Sequence, residues 1–398
     1  MVVNGMVHIA DYDYNLPPEL LPTEPASPRD SSKLFVYDSR KDTIVFDTFR
    51  NIVKYLPSDS LMVLNNTKVI PSRITLKKDT GGKVEALFLV NEVKKEGEVT
   101  IMADREVKVG QKLSLAVKDF VSDSVKTFPP RQCSTGGEYR QISALPGSPP
   151  VLTPETFRNK FEFIVISQKE HFFDLSYSFS KDTLISLLEK YGRMPIPLYL
   201  KHTRLNEKEL RDKYQTIFAQ IQGSTAAPTA SLHFTNDVFA SLDSKKIERN
   251  YVTLHVGLGT FAPITEENFT AKKLHREWYE IPENTVESLK VSKSKGLRSS
   301  IYGQKVIAVG TTVARTLESY AKTGETKGET DLFIYPPYEF KLVDALITNF
   351  HIPKSSLMML VDAFLSHKKA KRNIKELYAI AIEEKFRFYS FGDAMLIL

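Results

Sequence analysis

Residues 305–319 read KVIAVGTTVARTLES, and this stretch carries the clearest signal for the fold. The apolar run before Gly310 predicts a short buried strand, and the residues after it predict a tight turn into a helix. A strand that feeds directly into a helix is typical of mixed α/β proteins. The first N–H groups of such a helix favour a polar or anionic ligand, to which Arg315 adds a bidentate donor. The pattern also fits a plain connection in which Thr311 and Thr312 only cap the helix.

Further elements follow on both sides of this stretch. The apolar segments KLFVYDS and TIVFDTF, on either side of a turn at 40–42, predict a β-hairpin. Other predicted strands are LMVL (61–64), YVTLHV (251–256), LFIY (332–335) and ALIT (345–348). Predicted helices, several of which open with Thr, Ser or Asn as the N-cap residue, are TNDVFASL, TEENF, VARTLESYA, SSLMMLVDAFL and NIKELYAIAIEEKF. Asn373 and Glu376 fit a capping box at the start of the last of these helices.

The middle of the chain has a different character. From 68 to about 179, strand-like pieces such as VEALFLV (84–90) and FEFIVI (161–166) alternate with polar turns, and a long helical pattern first appears at 182–192. The sequence therefore predicts a small all-β unit inserted into a mixed α/β protein.

Composition narrows the class of protein. The chain has 398 residues and is 42% hydrophobic, so it can bury a large core and form two or three domains. The single cysteine, Cys133, excludes an intrachain disulfide and a cysteine-rich metal site, and it is typical of an intracellular protein. No apolar run approaches the roughly 18–20 residues that span a bilayer, and no signal peptide is recognisable. The net charge of +6 permits a polyanionic partner and equally fits an ordinary solvated surface.

Two loops rich in small residues are candidate ligand sites. The segment YVTLHVGLGTF places His255, Gly257 and Gly259 at the end of a predicted strand, where glycines let the backbone approach a ligand closely. It lacks the third glycine and the following helix of a dinucleotide fingerprint. The segment GSTAAPTASLHF (223–234) is more typical of tight packing than of a pocket.

Two further segments carry titratable groups. His351 and Lys354 stand immediately before a predicted Ser-capped helix, where a helix terminus and an imidazole adjoin. The segment HREWYEI combines Glu277 with Trp278, the only tryptophan, and also fits a partly buried structural patch. The histidines have no ligand spacing, so no metal site is predicted.

Taken together and in chain order, these segments resemble the S-adenosylmethionine:tRNA ribosyltransferase-isomerases of queuosine biosynthesis. The resemblance runs from Asp11 to the C-terminus, and no motif carries it over about 91–180. The motifs that carry it are DYDYNLPPEL (11–20), VLNNTKVIPSR (63–73), YQTIFA (214–219), GSTAAPTASLHF, LHVGLGTFAP (254–263), HREWYEI, VGTTVARTLES, FKLVDALITNFHIPKSSLMMLV and FGDAMLI (391–397).

The resemblance implies an unusual use of S-adenosylmethionine. The family transfers and isomerises its ribosyl unit onto 7-aminomethyl-7-deazaguanine at the wobble position of a tRNA, which gives epoxyqueuosine-tRNA, adenine and methionine. It implies no metal, no cofactor beyond S-adenosylmethionine as co-substrate, no membrane, and a cytoplasmic enzyme that we expect to be a monomer. The implied fold is an α/β (mixed α+β) catalytic domain with an inserted all-β barrel. From the change in composition we expect the discontinuous catalytic domain at 1–64 and 192–398 and the barrel at 65–191.

The chemistry of this reaction suggests roles for the matched residues. A base must remove the C5′ proton that the sulfonium acidifies, and the catalytic candidates are His351, His255 and Glu277. We expect the helix after His351 to lower its pKa, and we expect close packing to give His255 a structural role. Substrate-binding candidates are Gly257, Gly259, Thr260, Phe261, Trp278, Thr311, Thr312, Arg315 and Lys354, with the aromatic rings suited to the sulfonium and Arg315 to the methionine carboxylate. Candidate tRNA contacts are Asn65, Lys68 and Arg73.

Two alternatives of other classes stay open at this point. A Rossmann-type methyltransferase would need a glycine-rich turn after its first strand, which this chain lacks. A non-catalytic RNA-binding protein would use the same loops only for packing. Incubation with S-adenosylmethionine and modified tRNA separates the three, since they give adenine, S-adenosylhomocysteine, or tRNA retention without turnover.

Overall fold

The computed structural model describes residues 8–92, 94–116, 161–169, 171–257, 264–296 and 304–398. The chain divides into two compact units. The larger contains Met1–Ser72, Leu89–Val93 and Arg193–Leu398, and the smaller contains Arg73–Phe88 and Lys94–Gly192. Compactness does not show which part folds by itself, so the domain boundaries expected at 64/65 and 191/192 stay a prediction.

The smaller unit is a closed antiparallel barrel. Its strands, numbered in chain order and given in their order around the barrel, are β10 (Phe172–Ser176), β7 (Glu98–Ala103), β6 (Lys83–Leu89), β5 (Arg73–Lys78), β8 (Lys112–Leu115) and β9 (Glu162–Lys169), and helix α1 (Lys181–Tyr191) follows them in the chain. Alternate residues such as Ile74, Leu76, Phe163 and Val165 are buried, as period-two strands around a closed core require. The predicted all-β insertion is therefore confirmed.

The larger unit is built on a nine-stranded mixed sheet. In order across the sheet, its strands are β15 (Lys327–Leu332), β13 (Lys273–Glu280), β12 (Glu248–Leu254), β3 (Leu61–Asn65), β14 (Val306–Val309), β16 (Ala345–Asn349), β17 (Ala394–Ile397), β1 (Lys33–Asp38) and β2 (Thr43–Thr48). Two short strands, β4 (Thr67–Val69) and β11 (Ile221–Ser224), form a separate parallel pair. The hairpin of β1 and β2 is the one that the sequence predicts.

Helices cover both faces of this sheet. They are α2 (Glu207–Lys213), α3 (Asn236–Ser244), α4 (Glu266–Ala271), α5 (Glu283–Gly296), α6 (Thr311–Thr323), α7 (Ser356–His367) and α8 (Ile374–Glu383). Short 3-10 turns lie at Ile9–Tyr12, Pro18–Leu20, Arg29–Ser31, Phe49–Lys54, Leu198–His202 and Thr229–His233. The predicted capping box of Asn373 and Glu376 is confirmed at the start of α8. Within the described residues, every helix is too short or too polar to span a bilayer.

Alternate residues of β3 enter two different apolar cores. Leu61 and Val63 pack into the core that α6, α7 and α8 cover, and Met62 and Leu64 pack into the core that α3 covers. Strands buried on both faces are apolar at every position, which is why β3, β14 and β16 appear in the sequence as short unbroken apolar runs.

The four central strands place their carboxyl ends at one edge of the sheet. β3 is parallel to β12 and β14, and β14 is parallel to β16. Their order across the sheet is β12-β3-β14-β16, so the chain reverses its direction of travel between β3 and β14. In open α/β sheets, ligands bind at the carboxyl ends of the strands beside such a reversal.

Two segments differ from expectation. The strand predicted at 332–335 is wrong, because β15 ends at Leu332 and the next residues, Phe333 and Ile334, are buried outside it. The segment HREWYEI, for which no strand was predicted, lies almost wholly in β13, where β12 and β15 hold it by antiparallel pairing.

Candidate active site

Asn65, the last residue of β3, joins three elements at the carboxyl edge. Its side-chain Nδ2 donates to the carbonyl oxygen of Leu254 at 3.0 Å and lies 3.4 Å from the hydroxyl of Thr312 at the start of α6. Its Oδ1 accepts the N–H groups of Leu254 and Thr67, each at 3.1 Å. Asn65 is fully buried. It therefore holds the edge together and has no surface for the tRNA contact that the sequence suggested.

Helix α6 begins at this edge. Its N-cap residue is Gly310, which has a φ of 94°, a conformation that favours glycine. The threonines do not cap the helix: Thr311 is buried in its first turn, and the hydroxyl of Thr312 faces Asn65. The alternative in which both threonines serve only as caps is therefore not what the structure contains.

Arg315 and Glu277 form a buried ion pair. The Nη1 atom of Arg315 donates to Oε2 of Glu277 at 2.5 Å, and Oε1 of Glu277 accepts the N–H of Gly257 at 3.0 Å. Arg315 is 6% exposed and Glu277 is 2% exposed. The Nε and Nη2 atoms of Arg315 are buried and have no hydrogen-bond partner in the described part of the chain. Two candidates that the sequence analysis assigned to separate roles thus form one ion pair, and one edge of the guanidinium is not used by it.

His255 packs on the other face of the sheet. Glu277 and Trp278 are successive residues of β13, so their side chains point to opposite faces. The His255 ring stacks on Trp278 with centroids 4.9 Å apart, and its Nδ1 lies 2.8 Å from the hydroxyl of Thr67. The ammonium of Lys327 lies 5.5 Å from the Trp278 ring centroid. The indole therefore already has two neighbours before any sulfonium approaches.

The contact between Gly223 and His255 explains why the small-residue segment 223–234 begins with glycine. Its φ is 149°, and a Cβ at this position would lie 2.6 Å from Nε2 of His255. The His255 ring thus occupies the space that a side chain would need. The close packing expected around His255 is present, and its part in catalysis stays a prediction.

His351 is held on three sides after β16. Its N–H donates to the hydroxyl of Tyr378 at 2.9 Å, its carbonyl oxygen accepts the hydroxyl of Tyr14 at 2.5 Å, and its Nε2 lies 2.8 Å from the hydroxyl of Thr348. Burial lowers the pKa of His351 to about 3. The expected direction of this pKa shift is confirmed, but its cause is burial and not the helix terminus.

Lys354 contacts the N-terminal segment. Its ammonium lies 2.7 Å from the carboxylate of Asp13, and its N–H donates to the carbonyl oxygen of Tyr12. Both partners of the ion pair are about half exposed, at 50% and 53%. The pair lowers the pKa of Asp13. Lys354 thus anchors the chain beside His351, and its contact with substrate stays a prediction.

The other predicted site residues are spread more widely. Lys68 lies in β4 and Arg73 begins β5, and both are partly buried. Gly259, Thr260 and Phe261 lie outside the described residues. In the part of the chain that the structure describes, no group of three or more His, Cys, Asp or Glu side chains is arranged to hold a metal ion.

Asn91 was not predicted as a site residue from the sequence. It belongs to the Leu89–Val93 segment of the larger unit and falls where no family motif was recognised. Its Nδ2 donates to the carbonyl oxygen of His255 at 3.3 Å, and its Oδ1 is buried and has no partner within the ranges that the structure describes. A lone asparagine between barrel strands carries no pattern that would single it out.

Comparison with known proteins identifies the relatives of this chain. The family described as "Queuosine biosynthesis protein" matches residues 9–397. Similar proteins include the S-adenosylmethionine:tRNA ribosyltransferase-isomerases of Sulfurihydrogenibium sp. (strain YO3AOP1), 40% identical, and Thermoanaerobacter sp. (strain X514), 37% identical; each match covers 98% of this chain and 99% of the relative. A similar solved structure is that of S-adenosylmethionine tRNA ribosyltransferase from Thermotoga maritima, with 29% identity, a TM-score of 0.48, and coverage of 98% of this chain and 100% of that one.

Proposed function

The chain belongs to the queuosine biosynthesis protein family of S-adenosylmethionine:tRNA ribosyltransferase-isomerases, and on that premise we propose how its residues perform the reaction. The enzyme transfers and isomerises the ribosyl unit of S-adenosylmethionine onto 7-aminomethyl-7-deazaguanine at the tRNA wobble position, and adenine and methionine are released. We place the site at the carboxyl edge of the sheet. The observation that carries this is that β3, β12, β14 and β16 all end at this edge, and the polar segments that follow them begin there.

We assign the removal of the C5′ proton to His351. The hydroxyl of Thr348 lies 3.2 Å from the carbonyl oxygen of Asn349, and we assign its one proton to that contact. Nε2 of His351 then donates to Thr348, so the lone pair of the neutral ring is on Nδ1. The lowered pKa keeps this ring neutral at pH 7. Transfer of the C5′ proton turns the sulfonium into an ylide without net charge and the imidazole into an imidazolium, so the net charge of the buried site is unchanged.

Glu277 is reassigned from catalyst to positioning residue. Both its carboxylate oxygens are engaged, one by Arg315 and one by the N–H of Gly257. A carboxylate paired in this way is a poor proton acceptor, because protonation would leave the guanidinium buried without its counter-charge. Its role is to orient Arg315, which we assign to the methionine carboxylate.

The remaining contacts are assigned by residue type. Trp278 stays a proposed sulfonium contact through the face of its ring, and Thr311, Thr312, Gly257 and Lys354 stay proposed substrate contacts, as do Gly259, Thr260 and Phe261. Lys68 and Arg73 are proposed to contact tRNA phosphates, which position the RNA and depend on salt. Replacing Lys68 with Glu should raise the KM for tRNA and reduce its salt dependence, without changing the KM for S-adenosylmethionine.

We also propose that the enzyme acts in the cytoplasm as a monomer and needs no metal or cofactor beyond its co-substrate. Light scattering during size-exclusion chromatography tests the monomer, and an elution as a dimer at assay concentration would contradict it.

The decisive experiment is an incubation of the protein with S-adenosylmethionine and tRNA that carries 7-aminomethyl-7-deazaguanine. Release of adenine in proportion to modified tRNA supports the proposal. Formation of S-adenosylhomocysteine would indicate a methyltransferase, and stable tRNA binding without either product would indicate a binding protein. Unmodified tRNA is the matched control, because it lacks the attacking amine.

A further inference from the structure

One edge of the Arg315 guanidinium is buried and empty. Glu277 occupies Nη1, and the Nε and Nη2 atoms have no partner among the described residues. The Nε and Nη2 N–H groups lie side by side and are directed to bind the two oxygens of one carboxylate. Leaving charged donors buried and unpaired is costly, so this edge is suited to an anionic group that the described residues do not supply.

A second group without a partner, an acceptor, packs against Gly257, whose N–H binds Glu277. Among the described residues the buried Oδ1 atom of Asn91 has no partner, and its Nδ2 donates to the carbonyl oxygen of His255 at 3.3 Å, so the amide has a fixed orientation. Gly257 connects the two groups: its N–H donates to Glu277 at 3.0 Å, and a Cβ at this position would lie 3.1 Å from Nδ2 of Asn91. A side chain on residue 257 would therefore push Asn91 away.

The two unpaired groups together select one ligand chemistry. A phosphate or simple carboxylate satisfies the guanidinium but leaves the oxygen of Asn91 unpaired. An amine alone satisfies Asn91 but leaves the guanidinium unpaired. An α-amino acid end carries a carboxylate and an ammonium on the same carbon, and this combination satisfies both groups at once.

We propose that Arg315 and Asn91 together bind the amino acid end of S-adenosylmethionine. The carboxylate accepts from Nε and Nη2 of Arg315, and the ammonium donates to Oδ1 of Asn91. Glu277 holds the third guanidinium nitrogen and so directs the open edge toward the ligand. This inference rests on the proposed function for the identity of the ligand, and it adds Asn91 as a substrate-binding residue.

The test is equilibrium binding to the full chain without tRNA, by calorimetry, with three probes: S-adenosylmethionine, its decarboxylated analogue, and the analogue that lacks the α-amino group. Arg315→Lys keeps the charge and removes the bidentate edge. It should raise the Kd for S-adenosylmethionine about tenfold to a hundredfold and change the Kd for the decarboxylated analogue less than about twofold. Asn91→Leu should weaken binding of the two probes that carry the amine and spare the one that lacks it.

The matched control is Arg276→Lys. Arg276 neighbours Glu277 on β13, but its side chain is 68% exposed and pairs with Glu329 at 3.6 Å. This variant should bind all three probes as the wild-type protein does. A variant that fails to fold would lose binding of all three probes together. The thermal transition of each protein is measured to identify this case. Asn91→Gln and Arg315→Gln then replace the variants that do not fold.

The outcomes separate the inference from the proposed function. The inference is overturned if the folded Arg315 variant weakens binding of S-adenosylmethionine and of its decarboxylated analogue equally. It is also overturned if the Asn91 variant does not distinguish the probes by their amine. Both conclusions hold even when adenine release is normal. If the probe-specific losses appear but the wild-type protein releases no adenine with modified tRNA, the binding inference stands and the proposed function fails.

Discussion

His233 gives a quantitative prediction about the pH dependence of stability. It lies at the end of the 3-10 turn Thr229–His233 and is 5% exposed. Its Nδ1 lies 2.9 Å from the hydroxyl of Ser32, and its Nε2 lies 3.3 Å from Nδ2 of Asn349. The amide of Asn349 donates to Nε2, so a proton on Nε2 would oppose an N–H group. Burial lowers the pKa of His233 to about 4, against an ordinary value of 6.5.

The lowered pKa means that the unfolded chain binds a proton on this residue before the folded protein does. The stability that His233 contributes is therefore fully present above pH 6.5 and is lost as the pH falls from 6.5 toward 4. With these two pKa values, the loss at pH 5 relative to pH 8 is about 2 kcal/mol. The substitution His233→Gln should remove this pH dependence, because the glutamine oxygen can still accept from Asn349 and does not titrate.

The measurement is the free energy of unfolding by urea between pH 5 and pH 8 for the wild type, His233→Gln, and the control His275→Gln, whose histidine is exposed. We expect His233→Gln to be less stable at pH 8 and to lose about 2 kcal/mol less than the wild type on acidification. His275→Gln should follow the wild type. Parallel curves for His233→Gln and the wild type would refute the assignment, as would titration of the His233 ring near pH 6.5 by NMR.

Three further predictions concern the candidate active site. His351→Gln should slow single-turnover adenine release and C5′ hydrogen exchange by about 10²- to 10⁴-fold, more than His255→Gln, with tRNA binding unchanged; full exchange in the His351 variant would remove it from the mechanism. Activity should survive exhaustive EDTA treatment with the tRNA fold maintained, and a loss that one divalent ion restores would contradict this. Gly223→Ala should lower the stability by about 1–3 kcal/mol, because the new Cβ meets the His255 ring, and an unchanged thermal transition would show that the ring moves freely.

The parts of the fold that the sequence predicts are those encoded by local pattern. The segment of β14 and α6 was recognised because an unbroken apolar run, a glycine and a helix follow one another directly. Strand β13 was missed because charged residues interrupt its pattern, and its strand character comes from pairing with β12 and with β15. The inserted barrel was predicted as a class of structure, since alternation reveals strands and does not reveal their closure.

The candidate site was predicted in location but not in connectivity. The segments that contain His255, Arg315 and His351 were all predicted as candidate sites, because the ends of strands and the starts of helices can be recognised from local sequence. The pairing of Arg315 with Glu277 joins residues 38 positions apart through a packed sheet, which no spacing reveals. Asn91 comes from a segment without any recognisable motif, and only its unpaired buried oxygen singles it out.

The buried amide of Asn65 has a consequence for mutational experiments. It fixes the end of β3 to Leu254 and approaches Thr312, so the ends of two strands and the start of one helix share one side chain. Substitutions at these positions should be energetically coupled. A double variant should lose less unfolding free energy than the sum of the two single variants, because the first substitution already breaks the shared hydrogen bonds. The effect of a substitution at the end of β12 on catalysis then depends on whether α6 is still tied to the same amide.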